Sequence, residues 1–185
     1  MSLLSVFRVS DPGLCLHTLH QPDAIAAALA GHGVRFRKMP DCAVLAAGAP
    51  EADIRAALAG PIAEECAHGG YESVDVVSVT PATPGVAAMR TRFLAEHVHV
   101  EDEARLMVAG SGVFYLRVQD TLLLLLLEAG ELISVPAGMR HWFDMGLQPA
   151  FTAVRFFTRP DGWVAQFTGD PIAASFPDWA GAAAA

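Results

Sequence analysis

With 185 residues, 53% of them hydrophobic, the chain is long enough to bury one substantial core and too short for a second, so a single domain spanning residues 1–185 is expected. Its formal net charge of −8 excludes recognition of a phosphate backbone, because that affinity rests on Lys and Arg in excess; no nucleic-acid partner is expected. The three cysteines, Cys15, Cys42 and Cys66, are odd in number and unpatterned in spacing, which predicts reduced thiols in a cytoplasmic protein rather than a disulfide framework.

The opening "MSLLSVFRVSDPG" has neither a basic start with a long apolar run nor a small-residue cleavage site, so no signal peptide is expected. Residues 21–33 and 50–70 are predicted helical. In the second segment Ile54, Leu58 and Ile62 recur every fourth residue, Glu51 and Asp53 suit a first turn, and Gly69 suits an end. The pair Gly60 and Pro61 is placed to kink or divide it. Residues 34–39 and 74–80 carry β-branched residues and are predicted strands.

From residue 86 the rhythm becomes that of short strands, predicted over 86–100, 112–118, 121–127, 131–136 and 151–157. Turn segments at 101–103, 119–120, 128–130 and 136–149 divide them. That spacing fits a β-barrel or sandwich, with a core over about 74–160 and helical elements within 21–70, rather than alternating βα units. Leu122 to Leu127 end at Glu128, far short of the ~20 apolar residues a membrane span needs, and are predicted to form one strand buried on both faces. Residues 159–167 are predicted to add a helical turn, and the tail "AGAAAA" to fray. No internal repeat and no linker is apparent. The fold class expected is mainly β with flanking helices.

Chemistry concentrates in "FLAEHVHVEDEARLMVAGSG", residues 93–112. His97 and His99 alternate, so on a strand both side chains leave one face, close enough to share a metal ion. Glu103 follows Glu101 and Asp102, where the chain can bend and return its carboxylate as a third ligand. His141, after a strand and a Pro/Ala/Gly turn in "PAGMRHWFD", is a fourth candidate. Three imidazoles and a carboxylate without thiolate suit octahedral Fe(II), Ni(II), Mn(II) or Co(II) better than structural zinc. The competing reading is a hydrogen-bonded core histidine beside a solvated acidic turn. His17, His20, His32 and His68 share no spacing with acids or thiols and are read as surface or core residues.

The two stretches fit the cupin pattern: H-x-H-x3-E-x6-G as His97, His99, Glu103 and Gly110, and G-x5-P-x-G-x2-H as Gly130, Pro136, Gly138 and His141. Thr91 stands where the first half usually opens with Gly, and Met145 where Asn often closes the second. Neither departure removes a ligand. More narrowly, "EHVHVEDEARLMVAGSGVFYLRV", "ELISVPAGMRHWFDMG" and "AVRFFTRPDGWVAQFTGDPIAASFP" together resemble the acireductone dioxygenase family of methionine salvage, over roughly residues 86–178. "HWFDMG" and "GWVAQFTGD" are the most specific parts. Leu106 and Met107 stand where that family tends to carry aromatics, on a wall of the expected pocket, and the leucine run replaces a more mixed strand.

The resemblance implies a cupin or jelly-roll barrel that holds one Fe(2+) or Ni(2+) per monomer and cleaves a methylthio acireductone with O2. Iron is expected to give the 2-oxo acid and formate, and nickel 3-methylthiopropanoate, formate and carbon monoxide. Arg105 and Arg155 are then the cations expected beside the substrate dianion. Phe93, Phe143 and Trp163 are the walls expected for the methylthio tail. Glu96 and Asp102, flanking the ligands, are expected to orient imidazole N–H groups or to assist catalysis alongside Arg105. A small-molecule substrate with O2, no membrane and a monomer complete these expectations. Two other classes share the pattern: a metal-dependent cupin isomerase, and a non-catalytic binding cupin, which the intact ligands disfavour. Oxygen uptake with an aci-reductone separates them from the dioxygenase.

Overall fold

Short segments between turn formers assemble into twelve strands among the described residues, which in this computed structural model are 2–39, 42 and 45–179. In chain order they are β1 (Leu3–Arg8), β2 (Asp11–Leu19), α1 (Pro22–Ala30), β3 (Arg35–Lys38), α2 (Glu51–Ala57), α3 (Ala59–Gly69), β4 (Ser73–Val79), α4 (Val86–Phe93) and β5 (His97–Val98). There follow β6 (Glu103–Ala109), β7 (Ser111–Val118), β8 (Thr121–Glu128), β9 (Glu131–Val135), β10 (Arg140–Asp144), β11 (Phe151–Phe157), β12 (Gln166–Phe167) and a 3-10 turn at Pro171–Ser175. They form a seven-stranded sheet, β12-β5-β10-β7-β8-β1-β2, and a five-stranded sheet, β3-β9-β6-β11-β4. All pairings are antiparallel. The main core lies between the sheets, as the cupin expectation requires: Leu4, Phe114 and Leu125 come from one, Phe36, Met107 and Ile133 from the other.

The leucine run shows why patterning in this chain is not simple alternation. On β8, Leu123, Leu125 and Leu127 enter the inter-sheet core, while Leu122 and Leu124 join Phe7, Tyr115, Trp142 and Phe176 on the outer face. Both faces are covered, so the strand reads as continuous apolar sequence. Each fully buried leucine contributes on the order of 1.5–3 kcal/mol. A third cluster packs α2 and α3, through Ile54 and Leu58, on the back of the five-stranded sheet. Among the described residues no helix is long and apolar enough to cross a membrane.

Several segments fold differently from their sequence reading. Residues 86–100 are not one strand: Val86–Phe93 is helical and only His97–Val98 pairs as strand. Val86, Met89 and Phe93, spaced three and four apart, pack on the inter-sheet core, a helical period within a segment of good helix formers. Glu103, read as the end of a turn, opens strand β6, which runs through residues given no element in the sequence reading, and the turn segment 136–149 contains strand β10. No helix forms over 159–167; backbone bonds from Gly162 to Arg159 (3.1 Å) and from Val164 to Asp161 (3.1 Å) close two turns before β12. The sheets also extend beyond 74–160, since β1 pairs along β8 and β3 along β9.

The helical segment 50–70 does divide, at Leu58, which leaves Pro61 in the first turn of α3 where its missing N–H costs nothing. That helix ends at Gly69, as expected, and Gly70, with φ 66°, caps it. The tail expected to fray, residues 180–185, lies outside the described residues.

Candidate metal centre and its cavity

The expected ligands come from both sheets. His97 and His141 are direct partners across β5 and β10, His99 follows one residue after β5, and Glu103 opens β6 in the facing sheet. Ring centroids lie 4.4 Å apart for His97 and His141, 5.3 Å for His97 and His99, and 5.4 Å for His99 and His141. The ligand nitrogens of the three histidines all fall within 4.8 Å of one another, the sole such cluster among the described residues. Glu103 Oε2 lies 3.3 Å from His99 Nε2 and 3.5 Å from His141 Nε2.

Local backbone geometry fixes which nitrogens face the centre. His97 Nδ1 donates to the Ala95 carbonyl and His141 Nδ1 to the Met139 carbonyl, each at 2.8 Å, so both rings direct an Nε2 lone pair inward. Buried His141 Nε2 and Glu103 Oε2 have no hydrogen-bond partner. Leaving two converging acceptors unsatisfied costs about 1–3 kcal/mol each, and a divalent cation between them removes that penalty. Burial pushes His97 down to about 4, helped by the neighbouring imidazoles His141 and His99, and it lowers His99 as well. Burial works to raise Glu103, yet the Arg105 guanidinium, with His141 and His99, holds its carboxyl well below the usual carboxylate range. His97, His99 and Glu103 are therefore deprotonated at neutral pH, as metal binding requires. This donor set fits a divalent metal.

The motif residues that are not ligands shape the frame. Gly110, at φ 67°, ends β6 where a Cβ would come within 1.9 Å of the Ala150 carbonyl oxygen. Gly138, at φ 74°, turns the chain toward His141, and its N–H donates to the His99 carbonyl at 2.9 Å. Asp102 accepts the Ala137 N–H at 2.9 Å. Asp102 thus hooks the turn before His141 onto the turn after His99; it does not orient an imidazole. Glu96 does not either. It precedes His97 on an extended chain, so the pleat sends it to the opposite face, where it binds Arg117 (3.0 Å) and Thr168 (2.6 Å) and borders a second cavity beneath residues 169–178. Backbone carbonyls do the orienting expected of these two acids.

A cavity of about 460 Å³ opens onto the four ligands, and Arg105, Arg155, Phe93, Phe143 and Trp163 all line it. Arg105 donates to Glu103 Oε1 at 2.6 Å and lies against the adjacent rings of Phe114 (4.8 Å) and Phe143 (5.0 Å). Arg155 is held by two bonds to Asp75, at 2.8 and 2.5 Å. The two arginines are direct cross-strand partners on β6 and β11, a like-charge pairing that is destabilising by itself and here offset by the two carboxylates. Leu106 and Met107 do not form the expected wall: Leu106 packs under α2 and α3, Met107 in the inter-sheet core, and neither borders the cavity. Sequence reading missed Met89, Arg92, Phe114 and Phe167, which do. The helical period of Val86, Met89 and Phe93 was the available signal for α4.

Residues 51–165 match the ARD/ARD' family. The chain is 47% identical over 183 residues to an acireductone dioxygenase of Synechococcus sp. (strain RCC307), with 96% of this chain and 98% of that protein covered. It is 49% identical over 177 residues to an acireductone dioxygenase of Stutzerimonas stutzeri (strain A1501), with the same coverage of each. Among solved structures, the acireductone dioxygenase from Bacillus anthracis with a cadmium ion in its active centre matches at TM-score 0.78 and 28% identity, over 90% of this chain and 98% of that one. Identity at this level over nearly the whole length sets aside the isomerase and binding-only readings that the cupin pattern alone left open. The chain belongs to the acireductone dioxygenase family.

Proposed function

We propose that this chain cleaves 1,2-dihydroxy-3-oxo-5-methylthiopentene with O2, and that His97, His99, Glu103 and His141 hold the one metal ion it needs. The observation that carries the reading is the juxtaposition of three imidazoles and a carboxylate with two largely buried guanidiniums in the lining of one aromatic cavity. When bound, a divalent metal supplies Lewis acidity and a template for a two-oxygen anion.

The remaining work falls to side chains. Arg105, clamped by Glu103 and two aromatic rings, presents fixed positive charge in a site of low dielectric, where it stabilises the substrate anion without reorganising. Arg155, pinned by Asp75, adds a second cation from the neighbouring strand. Phe93, Phe143 and Trp163 take the methylthio tail and exclude water from the reacting end. The cavity lies in the range of about 300–1,000 Å³ usual for small-molecule sites.

The donor set carries nothing that selects against Ni(II), which the usual affinity order places above Fe(II). We assign either Fe(2+) or Ni(2+), with the product following the metal: 4-methylthio-2-oxobutanoate and formate for iron; 3-methylthiopropanoate, formate and carbon monoxide for nickel. All four ligands come from one chain, so a monomer suffices. The free thiols of Cys15 and Cys66 support a reducing, cytoplasmic setting. The test is oxygen uptake by metal-loaded protein supplied with an aci-reductone. Uptake that stops when the metal is chelated is expected; no uptake by fully loaded protein would refute the reading.

A further inference from the structure

Three guanidiniums line the cavity, and they are not equivalent. Arg105 and Arg155 are buried or nearly so and each is held by a carboxylate, Glu103 and Asp75 respectively. Arg92, in the last turn of α4, is exposed and meets no carboxylate among the described residues. Its guanidinium stands 5.8 Å from the centroid of the Phe167 ring. The other arginine of that turn, Arg90, is turned away and bound bidentately to Asp144 at 2.9 and 2.8 Å. Phe167 is 47% exposed and is the cross-strand partner of His97, so Arg92 is propped on the residue that links the cavity's outer edge to a metal ligand.

An anionic substrate approaches a chain whose net charge is −8, and that long-range field repels it. Two inner cations already neutralised by their own acids do little to reverse the repulsion at a distance. An unpaired guanidinium at the cavity's edge does. We propose that Arg92, supported by Phe167, is the outer capture residue of the site: it draws the enolate to the opening and hands it inward to Arg105 and Arg155. This rests on the acireductone reading above. The flat, weakly hydrated guanidinium can slide over the aromatic ring as the anion passes, since cation–ring attraction has no preferred hydrogen-bond direction.

The test is steady-state oxygen uptake by the metal-loaded protein and its Arg92→Gln and Arg92→Lys variants across a series of ionic strengths, with metal content and melting temperature measured in parallel. For Arg92→Gln, KM at low salt should rise about fivefold to tenfold, because steering by one exposed charge is of that order and is screened by salt. Its kcat should stay within about twofold, and the fall of kcat/KM with salt should flatten. Arg92→Lys should recover most of the loss, and Phe167→Leu should reproduce a smaller part of it. Wild-type KM and salt dependence in Arg92→Gln would overturn the proposal while the reaction stands. Parallel losses of kcat, metal and melting temperature would also overturn it, by showing a structural residue. A loaded wild-type protein that consumes no oxygen would sink it together with the functional reading.

Discussion

Two buried glutamates in this protein, each beside arginine, do different things, and the difference lies in what their oxygens lack. Glu65 on α3 is fully buried and both its oxygens are engaged: Arg35 binds both, and Arg37 adds a bond at 2.7 Å. Glu103 gives one oxygen to Arg105, while the other faces the imidazoles of His99 and His141 with no hydrogen bond at all. A saturated carboxylate joins elements of the fold. One with a free oxygen among converging donors is prepared for something that is not part of the chain. The first ties helix α3 to strand β3; the second, on the proposed reading, completes a metal site.

The largest effect that sharpens this contrast should come from His99→Ala. With one of the converging donors gone, metal retention and oxygen uptake should vanish together, measured by elemental analysis and an oxygen electrode on the same preparation. A full equivalent of metal with wild-type turnover would break the contrast at its functional end. Next, protein stripped and reloaded with Ni(II) should release carbon monoxide into the headspace, and the same protein reloaded with Fe(II) should release none. Carbon monoxide from the iron form would show that the metal does not choose the product here.

Smaller effects follow from the arginines. Arg105→Lys should lower kcat/KM about 10- to 100-fold with metal content nearly unchanged, because a lysine cannot bind Glu103, lie flat against two adjacent rings and face the substrate at once. Equal loss of activity and melting temperature would make it a structural ion pair like those of Glu65. At the other pole, Glu65→Ala should cost about 1–3 kcal/mol in denaturant unfolding and leave metal stoichiometry intact; the partial exposure of Arg35 and Arg37, 29% and 32%, limits the penalty by letting them rehydrate.

A further effect is one of pH on the metal-free protein. His97 falls to about 4 in the fold from an ordinary value of 6.5, so between those values the unfolded chain binds more protons than the folded one. Apo-protein stability should therefore rise as pH increases from about 4 to about 6.5 and level off above. Replacing His97 by Gln should flatten that rise, measured by urea unfolding across the interval.

How much of this was legible in sequence depends on whether the signal is local. The convergence of His97, His99 and His141 was, because alternate histidines need only a strand to share a face, and because glycines at positive φ, such as Gly110 and Gly138, leave a trace in the motif. Glu96 and Asp102 were misjudged for the same local reason: nearness in sequence to a histidine says nothing about facing it, and the pleat carried Glu96 to another cavity. Strand β10 was hidden because His141, Trp142, Phe143 and Asp144 are all buried, so no polar alternation marks it. Helix α4 was taken for strand because an apolar period of three and four is short enough to be overlooked beside the β-rich sequence after it. Cross-strand register was beyond reach, and with it the opposition of Arg105 to Arg155 and the role of Asp75.

The most direct measurement is a titration of metal-free protein with Fe(II), reading oxygen consumption with an aci-reductone at each addition. The account expects activity to climb in proportion to iron and stop at one equivalent per chain, with no such rise in Glu103→Ala. Activity before any metal is added, or an equal rise in that variant, would contradict it.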